Sequence, residues 1–464
     1  MSSAPLPPHE MVERAIARAT GDGCVALVEE STQANLRWAS NTLTTNGQTA
    51  GRSMTVIALH GTGAGVAAGA VTRTVTSADD VADLVTMAED VAARSAPEES
   101  ARPLVPGVGA AGFTEPPAQG GIEVFASLSD SLGDVLDAAR ASRRLLYGYA
   151  EHVLTTTYLG TSAGVRHRHV QPSGHLTMTA KTDDLSTSSW AGRSTRDFLD
   201  VDVHTIDAEL RRKLDWSSRR VQLDPGRYPT VLPPTAVADL AVYAYWEMAA
   251  LAAQEGRTVF SDPDRGTRIG QILTDRRVTL RSDPHHPDLA CAGVATTPAS
   301  GPSASVFDNG LDLGPTAWID QGTLSALVQT RYSAELTGQP VTPAVDNLVL
   351  DIAGGSGSVD DLAARLDDGV LVTSLWYIRE VDPQALLLTG LTRDGVFVVK
   401  GGEVVGEASS FRFNESPVDL LGRVLDAGDT VPTFSREWGE YFPRTAMPAL
   451  TVDGFHFSTV SDAR

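Results

Sequence analysis

The side chains best suited to chemistry in this sequence are its ten histidines, because imidazole binds metals and transfers protons near neutral pH. His167 and His169 are two residues apart, so on a β-strand they would share one face. Residues 172–174 (PSG) predict a hairpin turn that would bring His175 opposite them. The three histidines could form a metal site or the polar side of an exposed hairpin. The second interpretation is favoured because no carboxylate or cysteine is adjacent and no His-Glu-x-x-His motif occurs.

A glycine-rich stretch, LHGTGAGVAAGA (59–70), follows a predicted strand and distantly resembles a phosphate-binding loop. Such a loop needs a helix that begins at its last glycine, so that the helix N-terminus meets the phosphate. The following residues, AVTRTVTS, are rich in β-branched types and predict a second strand, so a hairpin is favoured over a nucleotide site.

The sequence also indicates no catalytic nucleophile. No Gly-x-Ser-x-Gly motif occurs, and Cys291 is expected to be buried with no base beside it.

The stretch LPPTAVADLAVYAYWEMAA (232–250) predicts a helix over residues 235–254 that begins abruptly after two prolines. Small and apolar residues recur at helical spacing, so one face should be buried. These residues are Val237, Leu240, Ala241, Ala244 and Met248. The first turns of such a helix can carry a metal or a catalytic group. The polar side chains available there are Thr235 and Asp239.

Composition and charge restrict the class of protein. Acidic residues outnumber basic ones by 58 to 37, which gives a formal net charge of −21 over 464 residues. Such a charge repels the phosphate backbone of nucleic acids. The two cysteines are too few for a disulfide framework, the N-terminus has no secretion signal, and no apolar run is long enough to span a membrane. These features predict a cytoplasmic protein that binds neither nucleic acid nor membrane.

The order of predicted elements indicates an α+β fold. Residues 1–110 are expected to form an N-terminal α/β domain, in which a helix begins at Ser77 with a capping box to Asp80. Residues 111–228 are expected to pack with that domain as a central segment of one helix and a hairpin. Residues 229–464 contain many short strands separated by turns, which predict a C-terminal antiparallel β-barrel or sandwich.

Four segments of the C-terminal half carry a specific resemblance. They are SASVFDNGL (303–311), ALVQTRYSAELTG (326–338), TGLTRDGVFVVKGGEVVGEASSFRFN (389–414) and REWGEYFPRTAMPALTVDGF (436–455). In this order they resemble the TldD/PmbA family of peptidase-related proteins. The resemblance implies an N-terminal α/β part joined to a C-terminal antiparallel barrel-like part. It also implies a pair of subunits, one TldD-like and one PmbA/TldE-like, that hydrolyse unfolded peptides in a narrow cleft.

In that family the TldD-like subunit holds zinc through a His-Glu-x-x-x-His motif at the start of a helix and through a Cys late in the chain. Here Pro234 stands at the first His, Thr235 at the Glu and Asp239 at the second His, and residues 431–447 contain no Cys. Proline has no side-chain ligand, and threonine cannot act as the carboxylate base. The resemblance therefore implies a PmbA/TldE-like subunit with no catalytic residue, metal or cofactor of its own. Zinc is expected in a TldD-like partner, with which this chain would form a heterodimer.

Six side chains are candidates for the peptide cleft or the subunit interface, although core packing would explain the aromatic ones equally well and a structural salt bridge is favoured for the two arginines. They are Trp376, Tyr377, Arg379, Arg393, Trp438 and Tyr441. Two alternatives to the accessory subunit stay open. One is a stand-alone peptidase that uses the three histidines with a further ligand. The other is a regulatory protein that binds a peptide without cleaving it.

Overall fold

The computed structural model describes residues 6–110 and 112–461 and confirms the mixed α+β class. One antiparallel sheet with its helices comes first in the chain, and two large sheets and a two-stranded sheet follow among the described residues. The expected boundary between residues 110 and 111 falls at residue 111, which lies outside the described residues. The division into three regions stays a prediction. Within the described residues, no helix is both long and apolar enough to cross a membrane.

The first sheet contains six antiparallel strands in the order β3-β2-β1-β4-β5-β6. The strands are β1 (Gly23–Ala39), β2 (Thr42–Thr62), β3 (Gly65–Arg73), β4 (Arg144–Thr161), β5 (Arg166–Thr182) and β6 (Ser188–Thr195). The helices of this part are α1 (Pro8–Arg18), α2 (Ala78–Arg94), α3 (Ala126–Ala141) and α4 (Val203–Ser217). Their buried apolar residues follow helical spacing, which fixes the face that each helix turns towards the sheet.

Two local predictions in this part are confirmed. Ser77 Oγ accepts the Asp80 N–H at 3.2 Å, and the Asp80 carboxylate accepts the Ser77 N–H at 2.9 Å, which is the predicted capping box at the start of α2. The glycine-rich stretch forms the β2–β3 hairpin, in which Thr62 pairs with Gly65. No helix follows its last glycine, so the geometry of a phosphate-binding loop is missing there.

The predicted turn at residues 172–174 is wrong, because β5 runs through it without a break. The turn between β4 and β5 lies instead at residues 162–165. Pro172 pairs with Leu154 of β4, whereas β6 pairs with β5 only from Gly174 onwards. One side of β5 therefore has no neighbouring strand at residue 172, and a proline without an N–H donor is tolerated there.

The C-terminal part contains fifteen further strands and five helices among the described residues. The strands are β7 (Gly226–Leu232), β8 (Ser261–Asp262), β9 (Gly266–Thr267), β10 (Val278–Ser282), β11 (Thr316–Asp320), β12 (Thr323–Leu324), β13 (Leu348–Ile352), β14 (Asp368–Asp382), β15 (Leu387–Lys400), β16 (Glu403–Glu407), β17 (Ser410–Glu415), β18 (Val424–Ala427), β19 (Val431–Thr433), β20 (Thr445–Met447) and β21 (Leu450–Ser461). The helices are α5 (Pro234–Trp246), α6 (Ala250–Gln254), α7 (Arg331–Thr337), α8 (Val359–Arg365) and α9 (Pro417–Leu421).

One of the C-terminal sheets closes on itself. Its strands follow the order β14-β7-β21-β17-β15, and β14 also pairs with β15, so the predicted barrel-like sheet is confirmed. The second large sheet has the order β12-β11-β10-β13-β20-β19, and β8 pairs only with β9. The largest apolar core joins residues of both sheets with those of α5. This helix is therefore enclosed by the two sheets, which explains why residues 236–240 are all buried rather than only one face.

The predicted helix over residues 235–254 is interrupted. α5 ends at Trp246, because the next residues bond to another part of the chain. The Met248 carbonyl accepts the Val328 N–H at 2.8 Å, and the Ala250 N–H donates to the Val328 carbonyl at 3.0 Å. This β-bridge uses backbone groups that a continuous helix would need, and α6 begins only after it.

Candidate functional site

A groove of about 480 Å³ lies at the start of α5. β7 leads out of the barrel-like sheet, and Pro233 and Pro234 turn the chain into the helix, since the fixed φ of proline suits a helix start. Residues of α4, β6, β14 and β19 complete the walls of this α5 groove. Its lining includes Trp190, Arg193, Lys213, Thr235, Thr373 and Phe434.

The three motif positions lie in two different environments. Pro234 and Thr235 line the α5 groove, whereas Asp239 lies one turn further along α5 and is completely buried. Asp239 Oδ1 accepts the Ser435 hydroxyl at 2.5 Å and the Glu437 N–H at 2.9 Å. Burial raises the pKa of Asp239 to about 7, and these two hydrogen bonds oppose only part of the rise. Its other oxygen, Oδ2, is buried with no hydrogen-bond partner.

The segment that binds Asp239, residues 435–438, connects α5 to the barrel-like sheet. Trp438 Nε1 donates to the Asp239 carbonyl at 3.0 Å. The Glu437 carboxylate accepts the N–H groups of Tyr377 at 3.0 Å and Ile378 at 3.2 Å, at an irregularity of β14. This segment belongs to the region where the resemblance expects the third zinc ligand. The segment does contact α5, but its polar side chains, Ser435 and Glu437, are used in hydrogen bonds within the protein.

Arg436 of the same segment is also enclosed. It forms an ion pair with Asp394 at 2.7 Å and donates to the Ser374 hydroxyl. Its guanidinium carbon lies 4.5 Å from the ring centroid of Trp190 and 5.3 Å from that of Trp376. These contacts join β6 of the first sheet to β14 and β15 of the barrel-like sheet, and so fix one wall of the α5 groove.

Two threonine hydroxyls of the α5 groove are buried without a partner. They are Thr235 Oγ1 and Thr373 Oγ1, and the Thr373 side chain is only 3% exposed. Thr373 lies on β14 beyond the last residue that pairs with β7, which is Leu371. β14 therefore has no neighbouring strand on that side at the groove. A buried hydroxyl without a partner is costly in an apolar surrounding, and a bound polar group would relieve that cost.

A charged cluster lies at the α4 wall of the α5 groove, and the sequence analysis missed it. Glu209 forms ion pairs with Lys213 and with Arg193, each at 2.6 Å. Burial alone would raise the pKa of Glu209, but the charges of Lys213 and Arg193 hold it at about 2. The cluster therefore carries one surplus positive charge. Glu209 and Lys213 are four residues apart, and that spacing in a predicted helix was a usable signal; the approach of Arg193 from β6 was not.

The candidates on β14 and β15 do not line the α5 groove. Trp376 stacks with Arg436, and Tyr377 is 54% exposed with Arg379 over its ring at 4.3 Å. Arg379 also lies 3.5 Å from Glu437. Arg393 is half-buried opposite Ser374 in the β14–β15 pair. Nothing in these contacts distinguishes a role in substrate binding from a structural one, so that role stays a prediction.

The other two candidates, Trp438 and Tyr441, do not line the α5 groove either. Trp438 packs edge-to-face against Tyr243 at 5.6 Å and Trp246 at 5.2 Å. Tyr441 is 75% exposed at a second cavity of about 800 Å³, which Trp246 also lines. None of the six candidates therefore lines the α5 groove.

The three histidines occupy one wall of that second cavity. They lie on the same face of β5, because no turn separates them, and so the expected approach of His175 across a hairpin is wrong. His167 and His169 stack at 6.4 Å, whereas His175 stacks on Phe434 at 5.0 Å. Burial lowers the pKa of each of the three. Within residues 6–110 and 112–461, no group of three His, Cys, Asp or Glu residues is arranged to hold a metal ion.

Comparisons with known proteins agree with the architecture. Residues 225–459, just over half of the chain, match a family model described as the PmbA/TldA metallopeptidase C-terminal domain. No curated protein matches. TldE from Thermococcus kodakarensis has a similar structure, with a TM-score of 0.77 and 16% identity over 97% of this chain and 99% of that one.

Two further solved structures are similar over nearly their whole length. A Bacteroides thetaiotaomicron protein described as a candidate modulator of DNA gyrase has a TM-score of 0.74 and 14% identity, over 98% of each chain. A Thermotoga maritima protein with the same description has a TM-score of 0.73 and 15% identity, over 96% of this chain and 99% of that one. At these identities the similarity establishes the fold alone.

Proposed function

Since the chain belongs to the PmbA/TldD metallopeptidase family, we propose that it is a metal-free subunit of a heteromeric peptidase. In this proposal it shapes the peptide cleft of a TldD-like partner that holds the zinc ion and supplies the general base. The substrate is an unfolded peptide, and the location is the cytoplasm. The count of two cysteines, too few for a disulfide framework, supports that location.

The observation that carries the proposal is the state of the first turns of α5. Pro234 and Thr235 offer the groove no nitrogen, thiolate or carboxylate ligand, and a catalytic zinc needs about three protein ligands. Asp239 is buried and already accepts two hydrogen bonds from residues 435–438. These residues do not fit a zinc ion, so we derive no catalytic step through one in this chain.

The shape of the α5 groove supports peptide binding. β14 has no neighbouring strand beyond Leu371, and an extended peptide can add to such an edge through main-chain hydrogen bonds. The hydroxyls of Thr235 and Thr373, which have no partner, would become donors to a peptide carbonyl once their side chains rotate towards the groove. Rings of Trp190 and Phe434 supply apolar contact for side chains. The groove would thus hold a peptide without cleaving it.

Exposed aromatic residues support a partner surface. Trp246, Tyr377 and Tyr441 are 38%, 54% and 75% exposed, and aromatic residues are enriched in the centres of protein interfaces. Trp246 is the last residue of α5, Tyr441 lines the second cavity with it, and the Tyr377 N–H donates to Glu437.

The test is co-purification of this chain with a family member that has an intact His-Glu-x-x-x-His motif. We expect zinc and peptidase activity in the mixture and neither in the isolated chain, measured by elemental analysis and cleavage of an unfolded peptide. Tyr441→Ser should weaken the pairing, whereas Leu185→Ser, which changes an apolar side chain that is 58% exposed outside this surface, should not. Stoichiometric zinc together with activity in the isolated chain would refute the proposal in favour of a stand-alone peptidase.

A regulatory protein that binds peptide without a partner is the second candidate, because the α5 groove by itself has the features of a peptide site. Peptide binding by the isolated chain, with no pairing to any motif-bearing family member, would favour this candidate. If the isolated chain binds peptide and also pairs with a motif-bearing family member to give a complex that cleaves peptide, the accessory subunit is favoured.

A further inference from the structure

We propose that the α5 groove binds the C-terminal end of a peptide with apolar last residues, and that Arg193 beside Lys213 holds its terminal carboxylate. The inference rests on the proposed peptide-binding role of the groove and adds the class of peptide and its direction. It is argued from the charges, the apolar walls and the buried hydroxyls of the groove.

The charges supply the carboxylate site. Arg193 donates through Nη2 to Glu209 at 2.6 Å and through Nη1 to the Gly192 carbonyl at 2.9 Å, which leaves its Nε–H and further N–H groups available. Its side chain is 39% exposed, whereas that of Lys213 is 14% exposed. Glu209 neutralises only one of these two cations. A planar guanidinium with unused donors and surplus charge matches a carboxylate in shape and sign.

The rest of the groove fits the residues that precede a terminal carboxylate. Arg212 is paired with Asp360, and Asp429 is a further carboxylate in the lining. The surplus positive charge is therefore confined to the Arg193 cluster, and Asp429 disfavours a second anion. Such a charge distribution orients a peptide with its carboxylate at Arg193.

The walls between these charged groups are mostly apolar. Trp190, Pro233, Leu371 and Phe434 contribute to them. Burial of aliphatic side chains against such rings is favourable, whereas a charged side chain would lose its hydration there. The groove should therefore prefer peptides with apolar residues near the C-terminus.

The buried hydroxyl of Thr373 indicates a ligand in the groove independently of the charges and the apolar walls. It lines the groove, is 3% exposed and has no partner. Internal packing does not use its hydrogen bond, and rotation of the side chain about χ1 would bring the hydroxyl to the carbonyl of a peptide in the groove. Thr235, at the start of α5, offers a second hydroxyl of the same kind.

The test measures fluorescence anisotropy of N-terminally labelled Gly-Ala-Val-Ala-Leu with the purified full chain, as the free acid and as the C-terminal amide. We expect the acid to bind about tenfold or more tightly, because the amide loses a charge-assisted hydrogen bond. Arg193→Gln should abolish the difference. Arg211→Gln, on the same helix as Lys213 but paired with Asp207, should preserve it.

Two further measurements test whether the site requires the terminal carboxylate of a peptide rather than another anion. An amidated peptide with glutamate before the leucine places a carboxylate in a side chain, and inorganic phosphate competes as a free anion. The proposal expects neither to replace the terminal carboxylate. Thr373→Val removes only the unpartnered hydroxyl, so it should weaken the acid and the amide alike. Even if Arg193→Gln does not fold, this variant and the ratio of the wild-type affinities for the acid and the amide still test the inference.

Equal binding of acid and amide, an unchanged ratio in Arg193→Gln, equal binding of the glutamate peptide, or no peptide binding would each overturn the inference. None of these results affects pairing with a motif-bearing partner or zinc-dependent activity in the mixture. Conversely, a chain that binds the free acid selectively but never pairs would refute the accessory-subunit proposal and keep the inference.

Discussion

The buried carboxylate of Asp239 makes the stability of this protein depend on pH in an unusual direction. Burial raises its pKa from the model-compound value of 3.8 to about 7. The folded state therefore holds a proton that the unfolded chain has lost between these two pH values. Stability from this group is fully present below pH 3.8 and is lost as the pH rises towards 7. A salt-bridged carboxylate, whose pKa is depressed, would show the opposite dependence.

The size of the effect follows from the two pKa values. A difference of about three pKa units corresponds to about 4 kcal/mol in the free energy of unfolding. With a folded pKa near 7, about 2–3 kcal/mol of this is lost between pH 5 and pH 8. Asp239→Asn keeps an oxygen to accept the bonds from Ser435 and Glu437. It places an amide N–H where Oδ2 has no partner, which costs about 1–3 kcal/mol at every pH.

The expected result is that the difference in the free energy of unfolding between the wild type and Asp239→Asn changes with pH. From pH 5 to pH 8, the wild type should lose about 2–3 kcal/mol of stability relative to Asp239→Asn. The measurement is urea unfolding followed by tryptophan fluorescence at several pH values, since Trp438 contacts Asp239 directly. Asp134→Asn, at an exposed position of α3, is the control and should parallel the wild type. If Asp239→Asn and the wild type lose stability in parallel, the burial argument is wrong.

Two further predictions concern packing and thiol chemistry. Gly148→Ala should destabilise the protein by about 1–3 kcal/mol, because a Cβ there would lie 2.2 Å from a ring carbon of Trp38. Gly133→Ala, in open space within α3, should stabilise it by about 0.5–1 kcal/mol; thermal unfolding that ranks the two alike would contradict this. Burial raises the pKa of Cys24 to about 12 and that of Cys291 to about 11. A thiol reagent should therefore label neither in the native protein and both in urea, and rapid native labelling would show that a thiol is accessible.

Local rules identified several features of the fold correctly. The capping box at Ser77, the glycine-rich hairpin and the many short C-terminal strands depend on neighbouring residues, so the sequence contains the information. The rules failed where a distant segment competed for backbone groups. Val328 interrupts the helix predicted over residues 235–254. The free side of β5 at Pro172 lets a strand continue where a turn was predicted.

The sequence by itself determined which chemistry the first turns of α5 lack. Pro234 and Thr235 have no suitable ligand atoms in any fold, so their identity alone argues against a zinc site. The tertiary structure decided what those turns do instead, because hydrogen bonding and burial join residues far apart in the chain. It buries Asp239 against residues 435–438, and it brings Arg193 of β6 to the carboxylate of Glu209 on α4. No local pattern encodes such contacts, since their energies depend on the packing of separate elements.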